Sequence, residues 1–470
     1  MLLLLLTIPL VCTVLSLLPM NNRMRIMLLL LVSLGHAAMT ASFWRALPGA
    51  EFNGIIVLDN IGLILLSVIS LLFTSVSLYM IGYFDHEKRN NRVFVLCLSL
   101  LMSVMSLVAV SYHIGLMWVA IATTTLFSAP LISFHRNKNS LEATWKYLLV
   151  CSVGIAMALM GTFFLAISAH GLDTLLLPGL LNGAGQLSGN WLKLSVIFLL
   201  VGYGCKMGLA PMHSWKPEAY GHSIGIATVI MAGGTTQCAF LALVRVSQIC
   251  SKAGLSGFYS SILILTGIIS LVVPAVFILG ERNIKRIFSY SSVEHMGILI
   301  LGLAFGGPGI FGSFFHMVNN ALAKVAMFLT AGSIAQKYGS SRADDIKGVI
   351  HAYPVTGVFL LAGLFAGTGM FPFATFFSEL MILYAAILSG HYVAAIFFVV
   401  CLAAIFVGIA RVVFEMVYGE PTVPVLAKKE NKFMNISIIA ALVILAGIGM
   451  WLPAHLENII NGAVQVASLK

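Results

Sequence analysis

Apolar residues run through this chain in blocks close to the ~20 residues a bilayer-crossing helix needs, separated by short breaks rich in Arg, Lys, Asn, Gly and Pro. The blocks are 2–19, 26–43, 55–84, 93–111, 114–133, 147–167 and 191–211 in the first half of the chain. They continue as 224–246, 262–279, 292–305, 310–334, 355–387, 393–417 and 436–452. The pattern predicts fourteen spans and leaves no stretch for a separate soluble domain. The first block has no charged leader and runs directly into Arg23, Arg25 and a second block, which predicts a retained helix rather than a signal peptide.

Two blocks are broken from within. In "VGYGCKMGLAPMHSWKPEAYGHS" (201–223), Lys206 sits in an apolar run with Pro211 five residues later, among Gly202, Gly204 and Gly208. Proline removes a backbone donor, so the carbonyl of Met207 needs another partner inside the membrane. In "GLFAGTGMFPFATFFSELMIL" (363–383), glycines and Pro372 interrupt span 12, and Glu379 follows. Interrupted helices are tolerated at membrane depth where they are buried in protein or line a hydrated cavity, and transporters place ion sites there. A lysine in such a place costs about 2.5–3.5 kcal/mol on insertion scales. The sequence leaves two readings for Lys206: an ion-path residue, or a lysine near the end of its span that snorkels to the surface.

By loop parity spans 7 and 12 run in opposite directions, and each is the fourth helix of a five-helix block. Paired breaks in oppositely oriented blocks predict an inverted repeat. The expected fold is an all-α polytopic membrane protein of about fourteen transmembrane helices, with two inverted five-helix repeats and interrupted helices 7 and 12. Its divisions are a three-helix segment (1–92), a first repeat (93–250), a second repeat (257–417) and a final helix (418–470). In span 11, "FHMVNNALAKVAMF" spaces His316, Asn320 and Lys324 at i, i+4 and i+8, on one helical face. Three polar groups in register at membrane depth predict a hydrated path.

Composition agrees. Of 470 residues, 60% are hydrophobic and 9% charged, with mean hydropathy +1.02, far from a soluble domain. The net charge of +10 is carried mostly by loops after odd-numbered spans, among them Lys88, Arg89, Arg92, Arg136, Lys138, Arg282, Lys285, Arg286, Lys428, Lys429 and Lys432. Arg45, Lys193, Lys252 and Lys470 fall on the other side, and Lys206, Arg245, Lys324 and Arg411 within spans. Short basic loops mark the cytoplasmic face and meet anionic lipid, so both termini are expected outside and no nucleic-acid partner is called for. The seven cysteines, with no C-x-x-C pair, read as small core residues and not as metal or cluster ligands. With no phosphate loop and no Ser-His-Asp set, an enzyme acting alone is not the expected reading.

At these residues the chain resembles the antiporter-like proton-channel subunits of respiratory complex I, of membrane-bound energy-converting hydrogenases and of multisubunit cation/proton antiporters. The likeness covers spans 3 to 13. It rests on Lys206, Pro211, His213, Trp215 and Pro217; on "NIKRIFSYSSVEHMG"; on His316, Lys324 and "FLTAGSI"; and on Pro354, Thr356, Gly369, Pro372, Phe376, Ser378 and Glu379. "HRNKNSLEATWKYLL", "YSSVEHMGIL" and Glu379 look most like component F of hydrogenase-4 type complexes. The resemblance implies proton translocation through Lys206, His316, Lys324 and Glu379, supported by Pro211, His213, Gln237, Glu294, His295, Asn320 and Pro372. It implies no cofactor in this chain, with redox chemistry left to a peripheral iron-sulfur or hydrogenase-like arm and to neighbouring membrane-arm subunits in a bacterial or archaeal inner membrane. Protons are the expected ion and sodium the alternative; an antiporter subunit, or a scaffold that has lost pumping, are the other roles.

The departures bear on the mechanism. Ala122 stands where the family usually has a glutamate facing the helix 7 lysine, Gln237 where it often has lysine, and Asn320 where it has a second histidine. The sequence therefore predicts that Lys206 has no carboxylate partner, with Glu142 already engaged by Lys146.

Overall fold

A computed structural model describes residues 1–85, 89–172, 174–421 and 430–468. Lys88, Lys428, Lys429 and Lys470 of the charge pattern lie outside the described residues. Every apolar span is helical: α1 (Leu2–Ser16), α2 (Asn22–Phe43), α3 (Asn60–Tyr83), α4 (Arg92–Val110), α5 (Ile114–Ile132) and α6 (Lys138–Ser168) lead to an interrupted pair, α7a (Gly189–Met207) and α7b (Trp215–His222). Then come α8 (Gly225–Lys252), α9 (Ser256–Ile278), α10 (Ile284–Phe305), α11 (Pro308–Tyr338), a second interrupted pair, α12a (Pro354–Gly367) and α12b (Ala374–Leu388), α13 (Tyr392–Tyr418) and α14 (Lys432–Met450). Among the described residues there is no strand, only isolated bridges between loops such as Asn283 with Arg342.

The helices begin where the sequence supplies caps. Side chains of Asn21, Asp59, Asn137, Asn283 and Asn431 accept from the first-turn amides of α2, α3, α6, α10 and α14. Pro308 and Pro354 open α11 and α12a, where a missing N–H costs nothing.

Two helices start well before the apolar pattern suggests. α6 begins at Lys138, not at 147, because its first turns are amphipathic: Glu142 and Lys146 pair at 2.8 Å on the exposed side while Ser140, Ala143 and Tyr147 are buried. α10 begins at Ile284, not at 292, and carries Ser289 and Ser291 into the interior. A further helix, α15 (Ala454–Ser468), packs back onto α3 and α11, and Gln248 Nε2 donates to Val466 O at 2.8 Å.

Burial is graded from centre to rim. α8 and α10 are enclosed almost entirely by other helices, whereas α13, α14 and α2 expose long apolar faces. A central helix without an apolar-to-polar stripe is what a membrane bundle requires, because lipid and protein core are equally apolar. The N-terminal helices are tied to α8 by a buried bidentate pair, Arg245 Nη1 and Nη2 to Asp59 Oδ2 and Oδ1 at 2.7 and 2.9 Å, with Tyr112 against the guanidinium.

Candidate functional site

The first break forms earlier than proline alone dictates. α7a closes at Gly208, whose φ of 75° lies in the left-handed region, with Gly208 N–H on Cys205 O and Leu209 N–H on Gly204 O. Pro211 lies beyond this closure and is exposed, so it prevents the helix from resuming rather than ending it. Cys205 O also accepts the Trp215 indole N–H at 2.9 Å, and Ala210 N–H reaches Ser270 Oγ of α9 at 3.0 Å. The break is thereby stitched to its own continuation and to the second half of the chain. His213 is half-buried at its rim, beside the Tyr290 ring.

Lys206 is buried, which removes the snorkelling alternative. Its Nζ donates to Thr125 Oγ1 at 2.8 Å and Tyr147 OH at 2.7 Å, and lies 5.0 Å from the Tyr147 ring centre. Among the described residues no carboxylate lies within 4.0 Å of it. Ser128 hydrogen-bonds Tyr147 OH and donates to Thr124 O at 2.6 Å. With that hydroxyl proton committed, Tyr147 donates to Ser128, and donation runs Lys206, Tyr147, Ser128, Thr124 carbonyl.

In the centre, α8 contains a π-helical turn, Met231–Thr235, just before Gln237. Gln237 Nε2 is held by Met317 O at 2.7 Å, and its Oε1 has no protein partner. On α11, His316, Asn320 and Lys324 are all buried, as the helical spacing requires. Lys324 Nζ donates to Ser291 Oγ at 3.2 Å and lies within electrostatic reach of Glu294 and Glu379. Asn320 has neither polar atom bonded to protein, and Glu294 Oε2, Asn319 Oδ1 and Thr330 Oγ1 are also buried without a protein partner.

At the second break, α12a ends at Gly367 and α12b starts at Ala374 after Pro372. Gly369, with φ 62°, is required here: a Cβ on it would lie 2.0 Å from Glu379 Oε2. His295 Nδ1 and His316 Nε2 are 2.9 Å apart, His295 Nε2 donates to Gly367 O at 3.0 Å, and His316 Nδ1 meets Ser378 Oγ at 2.9 Å. One donor atom from each of His295, His316 and Glu379 falls within 4.8 Å of the others. Glu379 borders a cavity of about 310 Å³ between α12b and α13. A separate polar cavity of about 540 Å³ opens between α7b, α8, α10 and α11, lined by His222, Asn283, Lys285 and Gln336 among others.

The structure therefore brings together Lys206, His316, Lys324, Glu379, Gln237, Glu294, His295 and Asn320 as buried residues, and leaves Pro211, His213 and Pro372 at the rims of the breaks. Two residues were not singled out from the sequence. Tyr147 looked like the first residue of a span, although its position just under three turns after the Asn137 cap phases it toward α7a. Lys216 counted with the basic loop after span 7, yet it is fully buried. The signal was the apolar phase of α7b, in which Trp215, Lys216, Ala219 and Tyr220 share the inner side.

Membrane-length helices with two of them broken over buried ionisable groups define an antiporter-like transmembrane subunit. The chain belongs to the NADH:quinone oxidoreductase/Mrp antiporter transmembrane family, whose profile matches residues 111–405. A hydrogenase-4 component F homolog from Methylacidiphilum infernorum (isolate V4) is 34% identical over 323 residues, 67% of this chain and 68% of that protein. A chain of the membrane-bound sulfane sulfur reductase, an archaeal respiratory membrane complex, superposes with TM-score 0.88 at 19% identity, covering 99% and 97% of the two chains. A chain of the Mrp complex from Dietzia sp. DQ12-45-1b does so with TM-score 0.88 at 18% identity, covering 100% and 97%. The fold is thus shared by respiratory and antiporter assemblies alike, and both are multisubunit membrane complexes.

Proposed function

We propose that this chain carries protons across the cytoplasmic membrane of a bacterium or archaeon as a membrane-arm subunit of a redox-driven complex of the hydrogenase-4 type, with electron transfer confined to a peripheral arm. The single observation that carries this reading is the run of buried ionisable and unpartnered polar groups from Lys206 through Lys324 and Glu294 to Glu379, across both broken helices. Buried polar atoms without protein partners are costly unless water or a moving proton serves them. The 34% identity to a component F homolog favours the redox assembly over a cation antiporter, which the fold alone would equally accommodate. The repeats are assigned to 93–250 and 257–417, and the basic loops to the cytoplasmic side, with both termini opposite.

Glu379 is the exchange group of the second half, since it borders a cavity and lies against the histidine pair. In the complex reconstituted into vesicles, Glu379→Gln abolishes redox-coupled proton uptake and leaves assembly unchanged. Full uptake by that variant removes Glu379 from the path. Dependence of uptake on sodium, with small antiporter subunits copurifying in place of a redox arm, supports the antiporter reading instead.

A further inference from the structure

Lys216 is the first residue but one of α7b, and none of its surface is exposed. Its Nζ reaches across to α10, donating to Ser292 O at 3.1 Å and Ser292 Oγ at 3.2 Å. Among the described residues no carboxylate lies within 4.0 Å of it. The neighbouring serine, Ser291, is the one that holds Lys324, so two adjacent hydroxyls on one helix hold one lysine from each half of the chain. Lys216 and Lys324 are within electrostatic range of each other. Room for the side chain comes from the first break itself: a Cβ on Gly208 would stand 2.4 Å from Lys216 Cε and 2.5 Å from Cδ. Gln237, the polar residue of α8 on this axis, cannot carry a proton as a titrating group and is fixed to Met317 O.

A lysine that only fills space here would be poorly chosen, because burying an ammonium without an anion is costly and an apolar side chain of the same length packs at no such cost. We propose that Lys216 is the proton-relay group between the two halves, receiving a proton from the Lys206 side and passing it toward Lys324 by way of the Ser291–Ser292 pair. The step is a proton transfer: the Lys216 ammonium gives up one N–H to the Lys324 amine through a hydroxyl or water, and regains one from the first half. This inference rests on the proton-carrying reading above.

The test separates a relay from a fastener. Lys216→Gln keeps a donor for Ser292 O but cannot titrate, and Lys216→Arg keeps both donor and charge but does not deprotonate. In the intact, reconstituted complex both variants are expected to assemble and to lose redox-coupled proton uptake by about a hundredfold, the low end of what a positioned proton-transfer group contributes. Wild-type uptake by either variant, with an unchanged pH profile, makes Lys216 a structural donor and overturns the inference. If wild type and Glu379→Gln differ as expected while Lys216→Gln behaves as wild type, only the Lys216 assignment falls. If the wild-type complex takes up no protons, the proton-carrying reading fails first and takes this assignment with it.

Discussion

The partner of Lys206 is a pair of hydroxyls, not a carboxylate, and this sets how the first half can work. A hydroxyl accepts a hydrogen bond without contributing charge, so Lys206 Nζ is held by hydrogen bonding and not by an ion pair. Ala122 lies one turn from Thr125 on α5, which places its side chain on the same face as the hydroxyl that holds Lys206. Ala122→Glu is therefore expected to fix the lysine as a charged pair and to slow proton transfer, measurable as reduced uptake with normal assembly. Tyr147→Phe removes one of the two acceptors, leaving a buried donor short of a partner; about 1–3 kcal/mol of stability should go with it, read in thermal unfolding of the purified complex. An unchanged melting temperature would show that Thr125 suffices.

At the scale of elements, the two breaks are built by different devices. In α7 a left-handed glycine closes one segment and a lysine stem from the next fills the space over it. In α12 a left-handed glycine gives its missing Cβ volume to a carboxylate. Gly369→Ala must therefore displace Glu379 as well as strain the backbone, and should reproduce the transport loss of Glu379→Gln while leaving the carboxylate in the sequence. Normal uptake in that variant would mean that Glu379 works from another position. The breaks, the lysine and glutamate beside them and the polar face of α11 were all legible, since Pro, Gly and charge stand out against apolar runs. The early turns of α6 and α10 were not, because a hydropathy pattern ends where a helix becomes amphipathic, and Tyr147 and Ser291 fall in or beside those turns. Lys216 was hidden for a related reason: a cation next to a proline and a glutamate reads as loop until α7b is seen to fold its lysine inward.

For the molecule as a whole, stability draws on charges other than those of the proposed proton path. Asp59 and Arg245 clamp the N-terminal helices to α8 away from the axis, and removing one partner leaves the other buried and uncompensated. Asp59→Ala should cost about 3–5 kcal/mol, seen as a large fall in melting temperature, with residual complex retaining coupling. Outside the membrane, Arg282 joins Asp344 at 2.7 Å and Glu415 at 2.9 Å, fastening the α11–α12 loop to α13. Hydrogen bonds from Arg282, then Arg342, hold Asp344 below the usual carboxylate range. A depressed folded-state value means that this support is present above the unfolded value and is lost as pH falls through the folded one. Amide exchange around 342–346 should rise only in acid; a rise near neutrality would assign the fastening to other contacts.

The order of the buried groups, from α5 and α6 to α7, across α10 to α11 and on to α12, passes from helix to helix instead of along any one of them. Helices that span a bilayer stand across it, so on the proposed function a proton stepping from one to the next moves mainly sideways. A charge crossing the whole bilayer at 100 mV works through about 2.3 kcal/mol, but one moving sideways at constant depth works through almost none of it. On the proposed function the voltage then acts on the entry and exit legs, of which the cavity beside Glu379 would be one. The middle of the proposed route would then be electrically idle, its rate answering to local charge and hydrogen bonding whatever the energisation of the membrane.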